Sequence, residues 1–154
     1  MKSANRYLSP IPRTALRQID KTSSPAHTGK LKNAIDFIAD IGTPVLAAAD
    51  GIVTYVSDYS YTGGPSMEYW WNSNFIVIQH INDEYTRYDH LAHNSSRVRS
   101  GQAVRAGQPI ARVGTTGFTY SPHLHFQVFC FTGTNIWTDF ETLEVGDFQS
   151  AHDN

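Results

Sequence analysis

The sequence predicts an all-β domain, a compact antiparallel sheet or sandwich of hairpins, on three observations. Regular helical periodicity is scarce after residue 20. Short apolar or alternating runs recur along the chain, bounded by turn residues. At 154 residues, with 40% hydrophobic and 17% charged side chains, the chain is long enough for one domain with its own core.

Residues 1–21 read as an N-terminal arm. Pro10 and Pro12 hold the backbone extended ahead of TALRQID, which allows at most one helical turn. The domain proper is expected over residues 22–154, with its core at about 25–132. Its first strand is AIDFIA, and Asp36 is the exception within it. A carboxylate between Ile35 and Phe37 is costly to bury without a cation or hydrogen-bond partners, and a metal ion would compensate it.

PVLAAADGIVTYVS follows, and a second stretch, QAVRAGQPIARVG, repeats its pattern. From Gly42 and from Ser100 each segment runs through a turn glycine, an apolar pair, a second glycine and another apolar strand, which suits a sandwich of tight hairpins. Lipoyl and biotinyl carrier domains share this pattern. A swinging-arm carrier needs a lysine at a hairpin tip, and every lysine here lies at or before Lys32. The architecture can be shared; the carrier chemistry cannot.

Residues 58–74, DYSYTGGPSMEYWWNSN, are too polar and glycine-rich for a core strand, yet hold Tyr59, Tyr61, Tyr69, Trp70 and Trp71. Two readings stay open: a functional loop whose rings offer flat faces to peptide or sugar, or a flap folded back as a satellite core. NFIVIQHI and EYTRYDHL supply two more strands.

The last strand, HLHFQVFCF, opens with His-x-His. With a side-chain period of two, His123, His125 and Gln127 share one face, while Leu124, Phe126, Val128 and Cys130 share the other. One face is polar and the other is core. Cys130, the single cysteine, forms no internal disulfide and reads as a buried thiol.

Composition excludes several classes. No run approaches a membrane span, and MKSANRYLSP has no apolar region behind Lys2, so no signal peptide is expected. Net charge is −2, with basic residues concentrated in residues 1–32 and acidic ones in residues 133–154, a pattern of solvated ends able to pair with one another. No basic stripe with interleaved aromatics points to nucleic acid.

The candidate metal ligands are His27, His80, His90, His93, His123, His125 and His152, with the acids. Taken in order, AHTGKLKNAIDF, GTPVLAAADGIV, YDHL, GQAVRAGQPIARVGTTG and SPHLHF resemble the lysostaphin-like zinc metallopeptidases, the peptidoglycan endopeptidases, over about residues 25–130. The resemblance implies a fold related to barrel-sandwich hybrids. It implies one Zn²⁺ per chain held by His27, Asp36 and His125, and a catalytic pair, His90 and His123, beside the water that the metal activates. Many members place the first histidine four residues before the aspartate, where this chain has Lys32; His27 is the only histidine upstream of Asp36. Two histidines and one carboxylate leave a coordination position open, as hydrolytic zinc sites require. His80 and His93 read as surface or supporting residues, and Gln127 stands where many relatives have glutamate.

The implied function is a zinc-dependent endopeptidase cutting cell-wall peptidoglycan, at the stem cross-link or a glycine-rich bridge, in the cell envelope or outside the cell and as a monomer. The alternative is a non-catalytic cell-wall-binding or regulatory module of the same fold.

Overall fold

The computed structural model describes residues 1–22 and 27–149; His152 lies outside them. Twelve strands are described: β1 (Gln18–Asp20), β2 (Ile35–Ile38), β3 (Pro44–Leu46), β4 (Gly51–Ser57), β5 (Gly63–Gly64), β6 (Phe75–Gln79), β7 (Tyr85–Asp89), β8 (Ala103–Val104), β9 (Pro109–Arg112), β10 (Gly117–Phe118), β11 (Leu124–Phe131) and β12 (Phe140–Thr142). Helical structure among the described residues is confined to four 3₁₀ segments, of which Met67–Asn72 is the longest. The all-β expectation therefore holds.

The main sheet runs in the order β1-β2-β11-β7-β6-β4-β8, with β12 also on β11. Every described pairing within it is antiparallel. The two segments with the shared glycine pattern pair with each other, β3 on β9 and β4 on β8. Their likeness in sequence is thus a likeness of two facing ribbons.

The two faces of the main sheet are different environments. Phe37, Leu124, Phe126, Val128, Ile76, Ile78 and Val53 point into the principal core, where Val45, Ile110 and Val113 from the β3–β9 layer meet them. Cys130 is half-buried against this core. At about 25 cal/mol per Å² of apolar surface removed from water, each large side chain here contributes roughly 1.5–3 kcal/mol. On the opposite face Phe75, Val77 and Phe129 form a smaller cluster with Tyr85, Phe131 and Phe140.

The segment expected as an arm contributes to the principal core. Tyr7 and Ile11 are among its most buried side chains. The Tyr7 hydroxyl and the Ser3 hydroxyl both donate to Glu84, at 2.9 and 2.6 Å, and the Ala4 N–H donates to the same carboxylate at 2.7 Å. The single 3₁₀ turn at Arg13–Ala15 is the helical turn that TALRQID allowed. The charged ends meet as well: the N-terminal amine lies 3.7 Å from Glu141, and Ser3 N–H bonds to Glu144 O.

Candidate metal centre and its histidine pair

The antiparallel register of β2 and β11 places Asp36 opposite His125, and that of β11 and β7 places His125 opposite Asp89. Since side chains alternate along each strand, Asp36, His125 and Asp89 emerge side by side on the face away from the principal core. His27 enters ahead of the 3₁₀ turn at Gly29–Leu31 and brings Nε2 within 3.2 Å of Asp36 Oδ1. His125 Nδ1 lies 3.5 Å from the same oxygen.

Ligand-type atoms of His27, Asp36 and His125 all lie within 4.8 Å of one another, and all three residues are buried. Two imidazole nitrogens and a carboxylate at this spacing are a donor set for a borderline-soft divalent cation. A second observation supports the fit. Burial opposes ionisation of Asp36, yet the hydrogen bond from His125 and the charges of His123, His125 and His27 hold its carboxyl far below the usual range. The site is built to keep one anion surrounded by nitrogen donors. His27 Nδ1 has no partner among the described residues.

His123 adjoins this group, its Nε2 3.6 Å from Asp36 Oδ1. His90 follows the end of β7, with its ring centroid 4.8 Å from that of His123 and 6.1 Å from that of His125. Its φ of 65° lies in the left-handed region, uncommon for a residue other than glycine. Three bonds fix it there: its N–H donates to Ser73 Oγ at 3.1 Å, its carbonyl accepts from Gly114 N at 3.0 Å, and Nδ1–H donates to Thr116 O at 2.7 Å.

Acceptors also settle the tautomers of the other two rings. His123 Nδ1 lies 2.8 Å from Ser121 O, so it carries a proton that it donates there, and Nε2 faces the site 3.6 Å from Asp36 Oδ1. His125 reverses this. Its Nε2–H donates to Gln127 Oε1 at 3.1 Å, which turns Nδ1 towards Asp36, the side on which a metal would meet it. Burial and the neighbouring His123 push the His90 pKa down to about 4, which keeps that ring neutral. His125 moves upward, because Asp36 and Asp89 together outweigh the effect of its burial.

Asp89 was not singled out from sequence. It is buried, takes a bidentate ion pair from Arg87 at 2.6 and 3.1 Å, and accepts from Ser73 Oγ at 3.0 Å. The same Arg87 guanidinium lies 3.8 Å from the ring centroid of Phe75. The available signal was the alternation in YTRYD, which places Arg87 and Asp89 on one face. His80 stands apart from the cluster and is buried rather than exposed, bonded to Asp50 O and Thr86 Oγ1 at 2.7 Å each. His93 is exposed against Tyr61.

Comparison with known proteins agrees with this geometry. The model of peptidase family M23 matches residues 30–136. The peptidoglycan DD-endopeptidase ShyB of Vibrio cholerae is 38% identical over 133 residues, covering 82% of this chain and 28% of that protein. A DD-carboxypeptidase/endopeptidase, Mpg, of Neisseria meningitidis is 37% identical over 101 residues, 66% of this chain and 20% of its own length. The chain thus spans less than a third of the length of these curated relatives. Among solved structures, a zinc containing peptidase from Vibrio cholerae superposes with a TM-score of 0.59 at 35% identity, over 80% of this chain and 36% of that one. The catalytic domain of lysostaphin from Staphylococcus simulans gives 0.52 at 30%, over 71% and 74%.

Proposed function

The chain belongs to peptidase family M23, and on that premise we propose that it is a zinc-dependent endopeptidase that hydrolyses peptide bonds of bacterial cell-wall peptidoglycan. The observation that carries this reading is the convergence of His27, Asp36 and His125 with the adjoining pair His90 and His123 on one edge of the site. Two relatives with related sequences are named for endopeptidase action, one of them on peptidoglycan, and a third similar protein is named for its zinc.

His27, Asp36 and His125 would hold the ion. A bound zinc supplies a Lewis acid for the scissile carbonyl and lowers the pKa of a water towards neutrality. Asp36 contributes the fixed negative charge. Gln127 keeps His125 in the tautomer that offers Nδ1, so the ligand needs no reorganisation to bind.

His90 and His123 manage protons. Each has its Nδ1 proton committed to a backbone carbonyl, so each offers Nε2 as a base. One ring takes the proton of the attacking water and returns it to the amine leaving group. Until it passes that proton on, the same ring presents Nε2–H as a donor to the developing oxyanion. Hydrolysis proceeds without a covalent enzyme intermediate, and its setting is the cell envelope or the extracellular space.

The test is digestion of purified peptidoglycan by zinc-loaded protein, read as new amino groups, with synthetic cross-link and pentaglycine peptides in parallel. Release that a chelator stops and zinc restores supports the proposal. Zinc binding and cell-wall binding with no cleavage of any of these substrates would overturn it in favour of a binding module.

A further inference from the structure

Two loops beside His123 carry a concentration of exposed aromatic surface. Tyr61, Trp71, Tyr59 and Tyr120 are between 75% and 83% exposed, and Trp70 is 42% exposed. A satellite core accounts for Tyr69, whose ring lies against Gly64, and leaves the others in solvent. Exposed rings that also touch one another are the part of this surface that marks a binding site.

Three of the rings form a row. Trp70 and Phe118 have centroids 6.5 Å apart, and Phe118 and Tyr120 5.6 Å apart, both pairs tilted. The row is rigid. β5 and β10 pair in parallel, and Gly117 N–H and Thr119 N–H bond to Thr62 O and Gly64 O, both at 3.1 Å. Gly117 has φ +82°, and a Cβ there would lie 2.6 Å from Ser73, so the loops meet where only glycine fits. A platform locked in this way loses little entropy on binding.

The row also reaches the candidate site. Thr119 and Ser121, on either side of Tyr120, hold His123 through Thr119 Oγ1 at 3.2 Å and Ser121 O at 2.8 Å. A ligand on the rings therefore lies next to whatever the histidines act upon.

Charge narrows the ligand class. Residues 58–74 and 114–122 contain no Lys or Arg, and their only acids are Asp58 and Glu68. Nucleic acid and anionic lipid find no cation here. Most of the intervening polar side chains are hydroxyls and amides. Flat ring faces set among neutral hydrogen-bonding groups suit a pyranose, whose C–H bonds on one face carry partial positive charge towards the negative face of an aromatic ring.

We infer that Trp70, Phe118 and Tyr120 form a sugar-binding subsite that seats a glycan strand of N-acetylated amino sugars beside the peptide-cleavage site. The identity of the glycan rests on the peptidoglycan reading; the ring row does not.

The test titrates the zinc-loaded chain with a β-1,4-linked N-acetylglucosamine tetramer by calorimetry. Wild type should bind saturably, and Trp70→Ala and Tyr120→Ala should each weaken binding about tenfold, the scale of losing one well-seated aromatic contact. Ile81→Ala, at an exposed hairpin position, should bind as wild type does. In parallel, the ratio of cleavage rates on intact peptidoglycan and on a sugar-free cross-link peptide should fall about tenfold in both ring variants. Absence of saturable binding by wild type, or ring variants equal to wild type in affinity and rate ratio, overturns the subsite. Wild type that cleaves neither substrate overturns the peptidase reading instead, and the sugar titration still decides the subsite.

Discussion

Asp36 and His125 are direct partners in the antiparallel register of β2 and β11, and their side chains meet at 3.5 Å although they lie 89 positions apart in sequence. Sheet pairing, not a flexible loop, sets the separation of two of the three proposed ligands. Their geometry should therefore exist before metal arrives. The purified protein is expected to carry about one zinc per chain, and Asp36→Ala or His125→Ala should abolish it, since two remaining ligands hold the ion poorly. Elemental analysis checks this, and stoichiometric zinc in both variants at micromolar protein would exclude the assignment.

His27 is the ligand that comes from outside the sheet. It reaches Asp36 Oδ1 at 3.2 Å across a nine-residue separation, and its ring packs edge-on to His125 with centroids 5.7 Å apart. His27→Ala should weaken zinc binding by orders of magnitude while the strands stay paired. Competition with a chromophoric chelator measures it. Should His27→Ala bind normally and His93→Ala fail to, the ligand has been misassigned.

Proton handling predicts a different signature from metal loss. His90 and His123 are anchored by Thr116 O and Ser121 O rather than by the three-ligand group. His90→Ala and His123→Ala should stay folded and hold zinc, yet cleave about 10²- to 10⁴-fold more slowly. His93→Ala, on the surface, serves as the control. Metallated histidine variants that cleave as fast as wild type would refute the mechanism and leave the family intact.

Much of this site was legible in the sequence because β periodicity is simple. His-Leu-His followed by Phe-Gln-Val-Phe implied one polar and one core face, and His125 and Gln127 do share the face opposite Phe126 and Val128. Asp36 stood out as a carboxylate within an apolar strand. The polar-face reading ended too soon, however: Phe129 and Phe131 continue it as an aromatic cluster, closed by β6 and β12 strands that lie far away in the chain. Thr116 O and Ser121 O, which set two tautomers, are backbone atoms and leave no trace in residue identity. Tyr7 and Ile11 read as arm residues because nothing local in RYLSPIP reveals the core they complete.

Gln127 offers a test of how the ligand ring is oriented. Its Oε1 accepts from His125 Nε2 at 3.1 Å, and its side chain is buried beside the site. Gln127→Ala should lower zinc affinity about 10- to 100-fold, the usual effect of losing the partner that orients a metal-bound imidazole. Gln127→Glu supplies an acceptor in the same place and should retain the metal. Equal affinities for wild type and Gln127→Ala would show that strand packing alone orients the ring.

The buried His90 also makes acid stability a readout of its environment. In the unfolded chain this ring takes up a proton below its ordinary value near 6.5, whereas burial and His123 hold it neutral in the fold down to about 4. Between those limits the unfolded state binds more protons, so stability falls as pH falls from 6.5 towards 4 and levels off below. The contribution across that window is on the order of 3 kcal/mol. Asp36 and Asp89, both held ionised, lose their contribution only at lower pH, and His125, shifted upward, works in the opposite sense. All three remain in His90→Gln, so the comparison removes the titration of one ring together with its coupling to Asp89 and His125. Urea unfolding of the metal-free proteins, followed between pH 7 and pH 4, should give a shallower loss of stability for His90→Gln than for wild type. Parallel curves for the two proteins would mean that His90 titrates in the fold as it does unfolded, and the depression assigned here to burial and His123 would go with that result.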